Sequence, residues 1–131
     1  MSQIDDLVQQ LEGSDPAEQA TAAEALAQLG EDARPAIASL VRHVGSGEEA
    51  VAQWCNSALE DVGAPLDEQI GDLTALAKAA DPNVAYWAVT LLGRAGAAAR
   101  GAVSVLQDRA GDAAAPHVQK RARWALDQIS G

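Results

Sequence analysis

Two histidines, one cysteine and the acidic pairs near expected helix starts are the side chains that chemistry would recruit first in this sequence. His43 and His117 stand far apart, each flanked by apolar or basic residues. Neither forms an HExxH motif or an i, i+4 pair with another ligand type, so both read as surface or helix-end histidines. Cys55 is the sole cysteine, which excludes an intramolecular disulfide and a cysteine-based zinc site. Asp5-Asp6, Glu31-Asp32 and Glu48-Glu49 lie near expected helix starts, where they complement the positive end of the helix dipole. Adjacent residues on a helix diverge, so these pairs cannot converge on a calcium ion or share a proton. Gly45-Ser46-Gly47 lacks the preceding strand and following Lys-Ser/Thr of a phosphate loop and reads as a turn. The expectation is a non-enzymatic chain with no catalytic residue, metal site or cofactor.

The aromatic residues carry more information. Trp54, Tyr86, Trp87 and Trp124, with Arg94 and Arg121, are of the types that dominate binding hot spots. What would position them is a repeat. AEALAQLG (23–30), NSALEDVG (56–63), VTLLGRAG (89–96) and RWALDQIS (123–130) align with Leu26, Leu59, Leu92 and Leu126 in register, at spacings of 33, 33 and 34. Gly30, Gly63 and Gly96 keep one offset, and Ser130 takes it in the last copy. Upstream, Ile4, Ile37, Ile70 and Val103 recur every 33 residues, as do Leu7, Leu40, Leu73 and Leu106. The four copies span approximately 1–32, 33–65, 66–98 and 99–131 and together form one expected domain, 1–131.

Each copy reads as two helices, A then B. Ile4, Leu7, Val8 and Leu11 trace one apolar helical face. Gly13-Ser14-Asp15-Pro16 breaks that helix and starts the next, with Asp15 placed to accept from first-turn amides and Pro16 suited to the first helical position. Asp81-Pro82 repeats the device, and Glu48-Glu49 stands there in the second copy. Helices are expected near 3–12, 16–29, 35–44, 48–62, 67–79, 82–95, 100–110 and 115–129, with the B helices closing on left-handed glycines. Ala22, Cys55, Ala88 and Ala122 share one small-residue column, which lets helices approach closely. The one extra residue of the fourth copy falls around 113–116 and lengthens a turn.

Rotation at about 100° per residue places Val51, Cys55, Ala58 and Val62 toward the core, with Trp54 and Trp87 together on one flank. Trp124 stands beside Arg121 on that flank, and Tyr86 points away from the core. Two readings follow for this edge. The tryptophans wedge between neighbouring repeats, or they form a contact edge for a protein or peptide.

The run Asp81-Pro82-Asn83-Val84, followed by Ala88, Leu92 and Gly96, resembles the short HEAT-like repeats first noted in phycobilisome lyases. Val51, Val84 and Val118 hold that family's valine position; Glu18 replaces it in the first copy, and Ala52, Ala85 and Gln119 replace the arginine that often follows. The resemblance covers essentially the whole chain. It implies an all-α, right-handed α-solenoid of four antiparallel hairpins whose B helices line a concave face. Tetratricopeptide and ankyrin arrays fit less well, because the chain has no Phe and no Thr-Pro-Leu-His run.

Composition narrows the partner. Hydrophobic residues make up 48% and charged residues 21%, ordinary globular usage. The net charge of −10 argues against nucleic acid. It is uneven: residues 1–66 hold twelve acids against Arg34 and Arg42, whereas residues 67–131 hold seven acids and seven bases. No signal-peptide pattern or membrane-length apolar run is present, so a cytoplasmic setting with no membrane partner is expected. The expected function is a protein-interaction or scaffold module that binds a protein or peptide along the B-helix face, as a monomer or weak end-to-end oligomer. The alternatives are a structural homo-oligomer joined through its ends, since Ile4, Leu7 and Val8 lack a polar cap, and, by resemblance only, a HEAT-like enzyme or accessory lyase subunit.

Overall fold

Glycines that close one repeat must turn the chain within a few residues before the next helix begins. The computed structural model, which describes residues 3–130, shows how this is done. Gly30, Gly63 and Gly96 take φ of 57°, 83° and 60°, a region that side chains with a Cβ rarely enter. Among the described residues eight α-helices result: α1 (Gln3–Leu11), α2 (Pro16–Gln28), α3 (Ile37–His43), α4 (Glu49–Asp61), α5 (Ile70–Leu76), α6 (Pro82–Ala95), α7 (Val103–Ala110) and α8 (Pro116–Ser130). No strand occurs among the described residues, and no helix among them is long and apolar enough to cross a membrane.

Contacts gather the helices into two compact units, Met1–Gly63 and Ala64–Gly131. In the first, α1 packs on α2, α3 on α4, and α2 on α4; in the second, α5 packs on α6, α7 on α8, and α6 on α8. Each unit is thus a pair of helical hairpins joined through their second helices.

The entry into the later A helices differs from the expected 35–44, 67–79 and 100–110. Segments Gly30–Ala36, Asp67–Gln69 and Gly96–Ala102 are 3-10 helix, and α-helix begins only at Ile37, Ile70 and Val103. The reason is the spacing of small apolar residues. Ala33 and Ala36, like Ala99 and Ala102, lie three apart and are all buried. A 3-10 helix has three residues per turn and eclipses such a pair, whereas an α-helix sets residues three apart about 60° from each other on one face. In the last of these segments the backbone also kinks at Ala99. In the third copy the buried residue is Gln69, whose Oε1 accepts from the Leu66 amide at 2.9 Å, a polar side chain made tolerable by its bond.

Two of the expected caps form as read. Asp15 Oδ1 accepts from the Ala17 amide at 3.0 Å, and Asp81 Oδ1 accepts from Asn83 at 2.8 Å and Val84 at 3.3 Å. Glu48, one methylene longer, makes no side-chain cap; Ser46 Oγ accepts from the Glu48 amide instead, at 3.1 Å. The extra residue of the fourth copy lies in a turn that Asp112 pins, its Oδ1 accepting from the Ala114 amide at 3.0 Å.

The core follows the repeat columns. Leu26, Leu59 and Leu92, and Leu40, Leu73 and Leu106, are fully buried, as are Ala22, Cys55, Ala88 and Ala122. Val51, Ala58 and Val62 join them. Leu126, Ile4, Leu7 and Val8 are only half-buried. The small-residue column sets a size limit. Ala88→Leu is expected to destabilise the protein by about 1–3 kcal/mol through overpacking, against about 0.5 kcal/mol or less for Lys78→Ala on an exposed face. Urea denaturation of both variants checks this, and equal midpoints would show the column to be loose.

Candidate functional site

The second unit carries a cation–aromatic cluster built where α8 crosses onto α6. Thr90, fully buried on α6, donates its hydroxyl to the Tyr86 carbonyl at 2.7 Å. That commits the proton and leaves Oγ1 as an acceptor. Arg121 Nε, from α8, donates to it at 3.0 Å. The guanidinium so anchored lies over the Trp124 ring at 4.1 Å and over the Tyr86 ring at 5.5 Å. An arginine held by one hydrogen bond and two ring faces has lost most of its rotamer freedom, so a ligand would meet it preorganised.

Trp124 reaches this position because Gly93 leaves room for it. A Cβ at Gly93 would overlap Cζ3 of Trp124 and lie 3.0 Å from Cε3 and Cη2. Gly93 is an interior residue of α6, where glycine lowers helix stability by about 1 kcal/mol relative to alanine. Gly93→Ala therefore sets a gain in propensity against the displaced ring. We expect no net stabilisation and a clear change in near-ultraviolet circular dichroism as Trp124 is pushed off α6. An unaltered aromatic spectrum with a gain of about 1 kcal/mol would mean that the ring does not depend on this seat.

Tyr86, His117, Lys120, Arg121 and Trp124 line a cavity of about 310 Å³. A smaller apolar one of about 170 Å³ adjoins it through His117, lined by Pro82, Ala114, Ala115, Pro116 and Val118. Pro82 and Pro116 open α6 and α8, so the amino ends of both helices meet at this second cavity. No acidic side chain lines either cavity. The first turn of α8 has no acid to offset the positive end of its dipole, and Lys120 follows in the next turn. Arg121, Lys120 and His117 make no ion pair among the described residues. The arrangement has the chemistry of an anion-binding groove with an apolar neighbour.

The expected contact residues do not all share this place. Tyr86, Arg121 and Trp124 come together. Trp87 is 7% exposed, packs edge-on against Tyr86 at 85°, and carries Arg94 over its ring at 5.6 Å, a placement that fits the wedging reading of this edge. Trp54 belongs to the first unit, on α4, and is 37% exposed. His117 and Gly93 were not singled out by the sequence reading as contact or seating residues. The signal for Gly93 was a glycine in a helix-interior column that holds Ala27, Glu60 and Asp127 in the other copies.

Among the described residues no three His, Cys, Asp or Glu side chains are grouped to hold a metal ion. His43 Nδ1 lies 2.7 Å from the Ser39 carbonyl, a local helix contact that requires Nδ1 to donate. Cys55 is fully buried, and loss of hydration pushes its thiol up to about 12.

No protein-family model matches the chain, and no curated protein matches it. Its fold is similar to those of engineered proteins whose crystal structures were solved by the Northeast Structural Genomics Consortium. One aligns over 99% of this chain with a TM-score of 0.62 at 25% identity. A second aligns over 99% with a TM-score of 0.63 at 24% identity, and a third over 98% with 0.61 at 26%. The chain spans 63%, 64% and 38% of the lengths of those three proteins. The likeness is one of all-α architecture.

Proposed function

We propose that this chain is a non-catalytic protein-interaction or scaffold module that binds a protein or peptide against its B helices. On this reading the four hairpins are HEAT-like and wind as a right-handed α-solenoid, a reading supported by the 33-residue register and the valine column of α4, α6 and α8. The observation that carries the functional reading is the preorganised Arg121, held between α6 and α8 over Trp124 and Tyr86 beside an open cavity. Arg, Trp and Tyr are the residues on which interface energy concentrates, and here they are fixed before any partner arrives. The buried, protonated Cys55 and the committed Thr90 hydroxyl offer no nucleophile, which supports a binding role over catalysis. A reducing cytoplasmic setting suits a chain with one buried thiol.

A photo-crosslinking residue placed at the exposed Lys120 tests the proposal, with one at the exposed Lys78 as the control. A discrete protein adduct in cell extract is expected from the first and absent from the second. Equal adducts from both, or none from either, would remove the support for a partner at this face. A second reading, self-association, is favoured by the half-buried Ile4, Leu7 and Val8 of α1. Solution mass against concentration tests it, and a constant monomer mass would sink it.

A further inference from the structure

We infer that the partner presented to the α6–α8 groove is an acidic peptide segment with a small apolar residue beside its carboxylates. This rests on the interaction-module reading and names the chemistry that the module would select.

Three observations converge on it. The larger cavity is walled by Arg121, Lys120 and His117, none of which is ion-paired among the described residues, and Arg121 spends only its Nε on Thr90. Arg121 is the best placed: Nε is tied to Thr90 and its plane is stacked, which presents its terminal nitrogens as a fixed fork suited to a carboxylate. Next, the first turn of α8, which carries His117, holds no acid, so its own side chains do not offset the positive end of that helix. A carboxylate bound beside His117 would do so. Finally, the adjoining cavity is apolar and measures about 170 Å³. That accepts a side chain of the size of valine or proline, but not a second charge. A lone inorganic anion would leave it unfilled. A peptide fills both, and the shared His117 puts its acidic and apolar residues next to each other in sequence.

The net charge of −10 does not oppose this, because the excess acid lies in residues 1–66. Residues 67–131, which build the groove, balance seven acids with seven bases.

The test is a nuclear magnetic resonance titration of the full chain with two blocked hexapeptides. One carries two central aspartates followed by valine; the other replaces both aspartates by asparagine. The aspartate peptide is expected to shift Tyr86, His117, Lys120, Arg121 and the Trp124 indole, and to bind at least about tenfold more tightly than the asparagine peptide. Lys120→Gln and His117→Gln, both at exposed positions, should keep the fold and weaken the aspartate peptide alone. Equal binding of both peptides at these residues would overturn the acidic class and leave the interaction module standing. Inorganic phosphate binding as tightly as the aspartate peptide would mark a bare anion site and overturn the peptide. Shifts of the same residues on raising protein concentration alone would make a second copy the occupant. Absence of any shift at millimolar peptide would overturn the inference; the crosslink at Lys120 then decides whether the module reading falls with it.

Discussion

Trp87→Ala is expected to destabilise the protein by about 3 kcal/mol or more, the range for truncating a buried tryptophan. Trp87 is 7% exposed, and its removal leaves a void against Tyr86 and takes away the ring beneath Arg94. The loss of the arginine contact alone accounts for about 0.5–1 kcal/mol of this. Trp54 occupies the same position one repeat earlier, yet it is 37% exposed. Trp54→Ala should therefore stay within about 1 kcal/mol. Chemical denaturation of the two variants under one condition measures the difference directly. Comparable losses would mean that the two tryptophans share one role after all, as an unbroken column would have it. The same measurement guards the binding experiments, because a ligand assay on a Trp87 variant reads folding before it reads contact.

The second large effect concerns the thiol. Burial pushes Cys55 to about 12 from an ordinary value near 9, so at neutral pH the folded protein holds about a thousandfold less thiolate than an exposed cysteine would. A thiol reagent should then react only through unfolding, and its rate should rise with urea in parallel with the unfolded fraction. The sign of the pH effect follows from the same shift. The folded state keeps the proton to higher pH than the unfolded chain, so Cys55 contributes its full share of stability below about pH 9. That share declines as pH rises toward 12, by at most about 4 kcal/mol in all. Cys55→Ala adopts the residue found in the other three copies and removes this alkaline loss, at about 1 kcal/mol for the missing sulfur at neutral pH. Urea midpoints of the two proteins should draw together between pH 7 and 9 and cross before pH 10.5, where the Cys55 protein has lost about 2 kcal/mol. Every other residue is the same in both proteins, so the comparison isolates the thiol. Midpoints that fall in parallel would show the thiol to be hydrated in the folded state.

Much of the architecture was legible in one dimension because it depends on local rules. The glycines at 30, 63 and 96 announced left-handed turns, since a Cβ is penalised there. Asp15 and Asp81 announced helix starts, since a short carboxylate reaches the amides two and three residues on. The alanine–cysteine column announced close helix approach, and all four of its members are fully buried. Where local rules compete, packing decides. Alanines three apart are compatible with an α-helix or a 3-10 turn, and burying Ala33 with Ala36 and Ala99 with Ala102 settled the choice.

The candidate site depended on the fold to a greater degree. Helical rotation assigned Trp54 and Trp87 to one flank, but an angle fixes only which way a side chain leaves its own helix. What stands opposite is set by packing, and it made one tryptophan buried and the other exposed. The pairing of Arg121 with Thr90 spans 31 residues. Trp124, over which the same guanidinium lies, comes close against a glycine on another helix, a fit of surfaces that no single-helix periodicity contains. The sequence by itself determined the helical repeat, its turns and its small-residue seams, because these follow from backbone conformation and side-chain size at each position. Only the tertiary structure decided that Arg121, Lys120 and His117 share a groove with Tyr86 and Trp124, because that depends on how two helices 34 residues apart in register come to lie side by side.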